Sequence, residues 1–501
     1  GFRRASLSTD GALVQSKSPM SPAASEAEAP AAGPAAKRTR GPRHPLGVLP
    51  FGQQLLDGRV RNLLRHGLGP LLGALSDDLL LALLAALGPR ELGAIGRVCR
   101  ALHVFASSEE LWKAHVLEAV GGRFTFEGSW KQTYVRAVLG RSDAIVLPRG
   151  SAWGGLYSDT LWRAHYCATL PLPGSWLTAG LTDGCTELER VNGCALTREE
   201  FAARFDEPGR PVVLAGLASD WPAVRAWQFV TLLERFGDRS FAVGEMQMKL
   251  SDFGAYCARA SEDPPLVLFD PNFATSAPEL AGEYEASPAP FPTDHFSLLK
   301  ESRPDWRWLI IGDARSGSTW HVDPNRTSAW NACVAGGKKW LLTPPNQPPP
   351  GVNASSDGAT IEAPVSVIDW MEAFLAHARR ELGPALHEAT VGPGDVVFVP
   401  RGWWHTVLNT QDGTVAVTQN FCSDGNLAEV LLYTDPSSGV AAELVSGVPR
   451  AERGRLHGRL ITALREQRPA ALEAATHPDA VAAARAAISA GRGSARARAA
   501  T

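Results

Sequence analysis

Several features that would classify a chain quickly are scarce here. The 501 residues include only seven cysteines, Cys99, Cys167, Cys185, Cys194, Cys257, Cys333 and Cys422, and no two of them form a CxxC pair. An odd number at irregular spacing, with no secretory signal in view, excludes an obvious disulfide framework or cysteine zinc site. It reads instead as reduced intracellular thiols, mostly buried as small apolar side chains. Long apolar runs are also missing. The longest lies near Leu79–Leu87 and follows Asp77 and Asp78, far short of the ~20 residues that cross a bilayer, so no membrane role is expected. Charge of one sign is lacking too: the formal net charge is −3, which does not point to a polyanion-binding protein. No internal repeat is visible. The chain opens on Gly1, which suggests that the natural start, and any targeting peptide with it, lies upstream.

What is present is ample apolar material. Hydrophobic residues make up 45% of the chain, enough for two or three domains with at least one sizeable core. Residues 1–45 are rich in Ala, Ser and Pro and poor in large apolar residues, which predicts a disordered arm. Lys37, Arg38, Arg40 and Arg43 cluster at its end, with Arg59, Arg61 and Arg65 following. Such a run suits a nuclear import signal, and so a nuclear location with the cytoplasm as the alternative, or a weak nucleic-acid contact; it equally suits a solvated arm.

Residues 70–118 carry helical patterning. Leu75, Leu79, Leu80, Leu83, Leu84 and Leu87 recur at helical spacing, Ser76-Asp77-Asp78 offers N-capping side chains, and Gly88-Pro89 stops the run. A second stretch holds Leu92, Ile95, Val98 and Leu102, and a third Leu111, Trp112 and Val116. Residues 119–185 are rich in aromatics and predict a packed connector. Residues 186–425 change to short β-type runs such as Pro211–Leu217, Trp308–Gly312, Lys339–Leu342, Asp395–Pro400, Trp403–Leu408 and Val415–Phe421, with a helical insertion near Val365–Arg380, the texture of a β-sandwich or barrel. Residues 426–501 turn helical and end in "GRGSARARAAT", a sequence expected to fray.

The chemistry centres on one short motif. With 12 histidines in the chain, roughly 0.6 His-x-Asp matches arise by chance, and two occur: His321-Val-Asp323 and His477-Pro-Asp479. The second lies in an Ala-rich helical region, where positions i and i+2 do not share a face, and has no companion motif. The first reads as a strand, where i and i+2 point to the same side. His405, after the strand–turn–strand "GDVVFVPRGWW", supplies a second imidazole. Two imidazoles and one carboxylate suit non-haem Fe(II) with three open positions. A 2-oxo acid could fill two of these and supply electrons to O2. Its distal carboxylate would need a cation and hydroxyls. Lys338 shares a strand face with Trp340 while Lys339 points away, Thr418 follows on the strand after His405, and Asn331 is read as lying on the His321 strand at an even offset. A buried lysine without a carboxylate partner would be explained by an anionic ligand.

Two resemblances sharpen these readings. "LSDDLLLALLAALGPRELGAIGRVCRALHVFASSEELWKAHV" resembles an F-box, with Ser76 where the family often has Pro. The resemblance implies docking on a Skp-type adaptor of a cullin ubiquitin ligase through residues 70–118. "WLIIGDARSGSTWHVDPNRTSAWNACVAGGKKWLLTPP" and "GDVVFVPRGWWHTVLNTQDGTVAVTQNF" resemble the JmjC family, in its branch of arginine demethylases and lysyl hydroxylases once called phosphatidylserine receptors. That likeness covers about residues 186–422. It implies an α+β fold: a double-stranded β-helix (cupin or jelly-roll) barrel with helical additions, preceded by a small all-α F-box module. It further implies iron on His321, Asp323 and His405, and 2-oxoglutarate held by Lys338, Asn331, Thr418 and Ser318, the last a Ser where the family has Thr. One departure is Leu250 after "MQMK", where relatives place a pocket-lining aromatic. Asp270 in "LFDPNF" is expected near the substrate entrance. The implied activity is hydroxylation or demethylation of a protein side chain, Lys or N-methyl-Arg/Lys. Alternatives are a ubiquitin-ligase substrate receptor that uses the barrel only for binding, and an RNA-modifying oxygenase.

Overall fold

The computed structural model describes residues 43–51, 62–142, 155–178, 184–354, 361–439 and 445–498. The predicted disordered arm therefore lies almost wholly outside the described residues, as do Lys37, Arg38, Arg40, Arg59 and Arg61. Arg65 is described and is not a free surface charge. It is buried, pairs with Asp77 at 2.9 Å and lies over the Phe105 ring.

The F-box-like segment folds into four helices where the sequence suggested three: α1 (Asp77–Ala85), α2 (Pro89–Ile95), α3 (Arg100–Phe105) and α4 (Glu109–Val120). Ser76 caps α1 by accepting from the Leu79 amide at 3.2 Å. Gly88 and Pro89 do more than stop α1: they are the N-cap and first residue of α2, where proline's missing N–H costs nothing. The stretch read as one second helix breaks between α2 and α3, which leaves Val98 71% exposed. The aromatic connector adds α5 (Trp130–Ala137) and α6 (Asp159–Thr169). The helical module is fixed to the barrel side of the chain through Glu262, which accepts from Trp130 Nε1 at 2.8 Å and Lys113 Nζ at 3.2 Å and from the Tyr256 hydroxyl.

The remainder is built on two facing sheets. Their strands are β1 (Thr186–Glu187), β2 (Arg190–Asn192), β3 (Val212–Ala215), β4 (Ser240–Val243), β5 (Met246–Lys249), β6 (Leu268–Asp270), β7 (Arg307–Gly312), β8 (Gly317–His321), β9 (Ser328–Ala335), β10 (Lys338–Thr343), β11 (Asn353–Ala354), β12 (Ile361–Glu362), β13 (His387–Val391), β14 (Val396–Val399), β15 (Trp404–Asn409) and β16 (Thr414–Phe421). The large sheet runs β2-β3-β14-β9-β16-β7-β6-β4-β5, the small one β1-β13-β10-β15-β8, and β11-β12 form a separate ladder. Val213, Cys333, Val397 and Val399 of the large sheet meet Trp340, Leu342, Ala389, Val391 and Val407 of the small one in a common interior. The alternate residues Leu341 and Leu408 face outward onto α7 (Val367–Leu382), the helix expected near Val365–Arg380. Strands covered on both faces explain the nearly unbroken apolar runs such as "DVVFV". Beyond the barrel come α8 (Leu427–Thr434), α9 (Arg453–Gln467), α10 (Pro469–Thr476) and α11 (Pro478–Arg498). The tail expected to fray is helical to Arg498; in an Ala-rich segment only Gly491 and Gly493 weaken helix propensity.

Candidate metal centre and anion pocket

β8 and β15 pair antiparallel and set His321 directly opposite His405, while the next registered pair is Ser318 with Val407. Three residues of β8 therefore span what two of β15 span, a β-bulge at Thr319-Trp320. In a regular strand, positions 318 and 321 would face opposite sides. With the bulge, Ser318 and His321 both stand opposite inward-facing residues, while Trp320 packs outside against Trp370. Gly317 makes this possible: at φ 151° its backbone passes so close to β15 that a Cβ would lie 1.9 Å from the Val407 carbonyl oxygen.

The strand ends at His321. Asp323 stands two residues beyond it, at the N-cap of the turn Pro324–Arg326, so it is turn geometry, not strand alternation, that aims its carboxylate. One ligand atom each from His321, Asp323 and His405 lie within 4.8 Å of one another, the one such cluster of metal-ligating side chains found among the described residues. The imidazole centroids are 4.1 Å apart. Nδ1 of His321 is 2.7 Å from the Thr319 carbonyl and Nδ1 of His405 is 3.1 Å from that of Trp403. A carbonyl only accepts, so each Nδ1 is the protonated nitrogen and each Nε2 keeps its lone pair. Burial, then the neighbouring His321, pushes the His405 pKa well below its usual value, which keeps it a neutral ligand. Burial raises the Asp323 pKa against the pull of His321 and a hydrogen bond from Asn420. Its Oδ2 is buried without a partner. A buried carboxylate oxygen left bare beside two imidazole lone pairs fits a divalent cation.

His477 and Asp479, the discarded motif, do meet: Nδ1 and Oδ2 are 3.5 Å apart across the junction of α10 and α11, not within one helix. Both are exposed, and among the described residues no third ligand joins them.

Lys338 lies deep in the interior. Its Nζ donates to Asn409 Oδ1 at 3.2 Å, and no carboxylate pairs with it among the described residues. Burial lowers its pKa to about 8, with the Cys333 thiol as a weak opposing influence. Asn409 is in turn fixed by Ser316 Oγ at 2.9 Å. Asn331 is not on the His321 strand. It lies on β9 in the other sheet, where Thr418 of β16 is its direct partner. The even offset carried no meaning, because the turn at 324–327 intervenes. Asn331 Oδ1 is buried and unpartnered. Thr418 does not offer its proton to the pocket as expected: its hydroxyl donates to the Trp330 carbonyl at 2.8 Å, leaving it an acceptor. Ser318 uses its carbonyl to hold the Thr406 hydroxyl at 2.7 Å. A buried lysine with no carboxylate partner among the described residues fits an anion such as the distal carboxylate of a 2-oxo acid.

Sequence reasoning missed Asn409 and Asn420, and placed Trp340 on the Lys338 face without giving it a role. Trp340 lies 6.1 Å from the His405 ring at a 23° interplanar angle, with its Nε1 buried and unpartnered. The even spacing 338/340 and 405/407/409 was the signal available for Trp340 and Asn409. Lys339, read as pointing away from the interior, does so but is fully buried, 2.6 Å from Glu388 Oε2. Leu250 sits in the main apolar core and offers nothing polar. Asp270 is buried and accepts from the Ala242 and Asn272 amides at 2.9 and 2.6 Å, a structural bracket between β4 and the turn after β6.

A two-histidine, one-carboxylate cluster inside a double-stranded β-helix defines the class: a cupin-type metal-centre protein. Comparison with known proteins agrees. Residues 197–426 match the profile of a cupin-like domain and residues 77–118 that of an F-box-like domain. The chain is 40% identical to arginine-specific demethylase JMJ22 of Arabidopsis thaliana over 85% of its own length and 82% of that protein. It is 33% identical to the bifunctional arginine demethylase and lysyl-hydroxylase psr-1 of Caenorhabditis elegans, over 60% of this chain and 74% of the relative. It is 35% identical to the 2-oxoglutarate and iron-dependent oxygenase JMJD4 of Homo sapiens, over 28% and 33%. The chain belongs to the cupin-like JmjC family, with an F-box-like domain at its N-terminal side.

Proposed function

We propose that this protein is an Fe(II)- and 2-oxoglutarate-dependent dioxygenase that hydroxylates a protein side chain, Lys or N-methyl-Arg/Lys, and demethylates it where the carbon is an N-methyl group. The observation that carries the reading is the pairing of the His321, Asp323 and His405 cluster, in which Asp323 Oδ2 is buried without a partner, with the buried Lys338, which no carboxylate compensates among the described residues. When bound, Fe(II), 2-oxoglutarate and O2 supply the oxidising power to insert one oxygen atom into a C–H bond, with succinate and CO2 as products. The protein's share is positioning. His321 and His405 present Nε2 because backbone carbonyls hold Nδ1–H. Asp323 contributes the negative charge. Lys338, kept in place by Asn409, pairs with the cosubstrate carboxylate, with Asn331, Thr418 and Ser318 as flanking polar contacts. Trp340 helps to keep water from the interior. The similarity to JMJ22 and psr-1 supports arginine and lysine side chains as the substrate class. A nuclear location, read from the basic run at Lys37–Arg43, is part of the same proposal.

The test is succinate production from 2-oxoglutarate by purified protein with added Fe(II), beside His321→Ala and Asp323→Ala. Turnover that vanishes in both variants is expected; equal turnover in all three would defeat the assignment of these ligands.

A partner reading rests on a different observation. Leu79, Leu83 and Val98 of the F-box-like domain are large apolar side chains left exposed, the kind of surface an adaptor covers. Binding of a Skp-type adaptor there is compatible with catalysis. Leu79→Asp/Leu83→Asp is expected to lose the adaptor and keep succinate production. The RNA-modifying alternative gains no support from Arg65, which is spent inside the helical module.

A further inference from the structure

Two segments carry the metal-ligating groups, and one residue outside the cupin-like match bridges them. Glu429 lies on α8, three residues past the matched span that ends at 426. Its Oε2 accepts from Arg326 Nε at 2.9 Å and from the same guanidinium's Nη2; its Oε1 accepts from Arg401 Nε at 2.7 Å. Arg326 is three residues after Asp323 and Arg401 four before His405. The two segments also touch directly, because Gly402 leaves room for the Arg326 guanidinium: a Cβ there would meet its Nη1 at 2.8 Å. Arg401 is anchored further by donating to the Asp206 carbonyl at 2.9 Å.

The turn after Asp323 needs such a hold. Asn325 and Arg326 both adopt positive φ, 57° and 59°, which for non-glycine residues persists only when the surroundings enforce it. The barrel contributes one hold, Asn420 Nδ2 donating to Thr327 Oγ1 at 2.9 Å; the others come from the chain that follows β16. Asn325 exchanges two hydrogen bonds with the Ser446 backbone, both at 2.9 Å. Asn426 Nδ2 donates to the Arg326 carbonyl at 3.1 Å. Glu429 takes the Arg326 side chain. The side-chain exposure of Glu429 is 8% and that of its arginine partners 12% and 17%, so the bridge is screened little by water.

We infer that Glu429 is a positioning residue for the metal centre: through Arg326 and Arg401 it fixes the Asp323 turn relative to the His405 strand, which makes the C-terminal helix part of the site. The inference rests on the assignment of His321, Asp323 and His405 as a metal centre. The test uses the full chain and Co(II) alone, whose visible absorption reports ligand geometry and whose affinity is measured by competition with a chelator. Wild type, Glu429→Gln, the charge-retaining Glu429→Asp, His405→Ala and the exposed control Glu473→Gln are compared well below their melting temperatures, with folding checked by circular dichroism. Glu429→Gln is expected to bind Co(II) about tenfold more weakly with an altered spectrum, Glu429→Asp to recover part of both, and Glu473→Gln to match wild type. If Glu429→Gln does not fold, Glu429→Asp carries the same comparison. A Glu429 variant that melts earlier yet binds Co(II) with wild-type affinity and spectrum would show a purely structural bridge and overturn the inference. Wild-type affinity in His405→Ala, or no Co(II) binding by wild type, would instead overturn the metal-centre assignment on which it rests.

Discussion

Lys338 is the residue on which the cosubstrate reading is most exposed to measurement. It is a buried cation whose one described partner is the neutral amide oxygen of Asn409. A charge-assisted hydrogen bond contributes about 1.5–3 kcal/mol, so Lys338→Ala is expected to weaken 2-oxoglutarate binding by that amount in calorimetry; unchanged affinity would remove Lys338 from the pocket. Binding should also depend on pH. Burial has already lowered the pKa to about 8 from 10.5, and only the protonated form pairs with a carboxylate. Above pH 8 the protein must take up a proton on binding, so affinity falls by up to about tenfold per pH unit. The stability of the ligand-free protein is expected to follow the opposite trend in the same window. Between pH 8 and 10.5 the unfolded chain holds this proton and the folded one does not, so stability from this group rises with pH. His321, Asp323, His405 and Lys338 were legible because metal and anion chemistry demand few residue types, and resemblance fixed their order. Asn409, Asn420 and the role of Trp340 were not, since an amide or an indole on a strand has many ordinary explanations. Thr418 was legible as a position but not as a donor, because the Trp330 carbonyl claims its proton.

At the scale of elements, alternation served well within strands and failed at their ends. It placed Lys338 and Trp340 on one face, but it could not foresee the bulge in β8 that brings Ser318 round, or the strand change that carries Asn331 into the opposite sheet. The outward face of β10 gives a separate lesson. Lys339, an apparent strand-surface charge, is buried with Glu388 of β13 and with Arg379 of α7, which donates to Glu388 at 2.8 Å. Burial opposes ionisation of Glu388, yet hydrogen bonds from Arg379 and the charge of Lys339 hold its pKa below the usual glutamate value. That contribution to stability is present above about pH 4.5 and lost as pH falls. Such a triad joins the small sheet to its covering helix and takes no part in the pocket. Glu388→Gln removes the carboxylate charge that the fully buried Lys339 faces at 2.6 Å and is expected to cost about 3–5 kcal/mol. The check is chemical denaturation with Co(II) affinity measured beside it. A loss of stability below about 1 kcal/mol would mean that water reaches the pair.

Across the whole molecule, the sequence divided cleanly into a helical module and a barrel, and the aromatic-rich residues 119–185 predicted a packed connector without showing that the two parts share one core. Leu80, Leu84 and Trp112 of the module belong to the same continuous apolar core as Met248, Phe253 and Tyr256 of the barrel side. The contact is tight enough that a Cβ on Gly122 would lie 2.1 Å from the Gln247 carbonyl, and Glu262 ties Lys113, Trp130 and Tyr256 into one network. A shared core and a buried polar hub predict cooperative unfolding. Calorimetry of the full chain is expected to show one transition spanning both parts. Glu262→Ala, which leaves the indole N–H of Trp130 and the Tyr256 hydroxyl without their acceptor, is expected to lower its midpoint by several degrees, since each stranded buried donor costs about 1–3 kcal/mol. Two separate transitions, with only the earlier one sensitive to Glu262, would mean that the helical module hangs from the oxygenase as an independent domain. A single transition that shifts as a whole would mean that any partner docked on α1–α4 is held at a fixed position relative to the barrel.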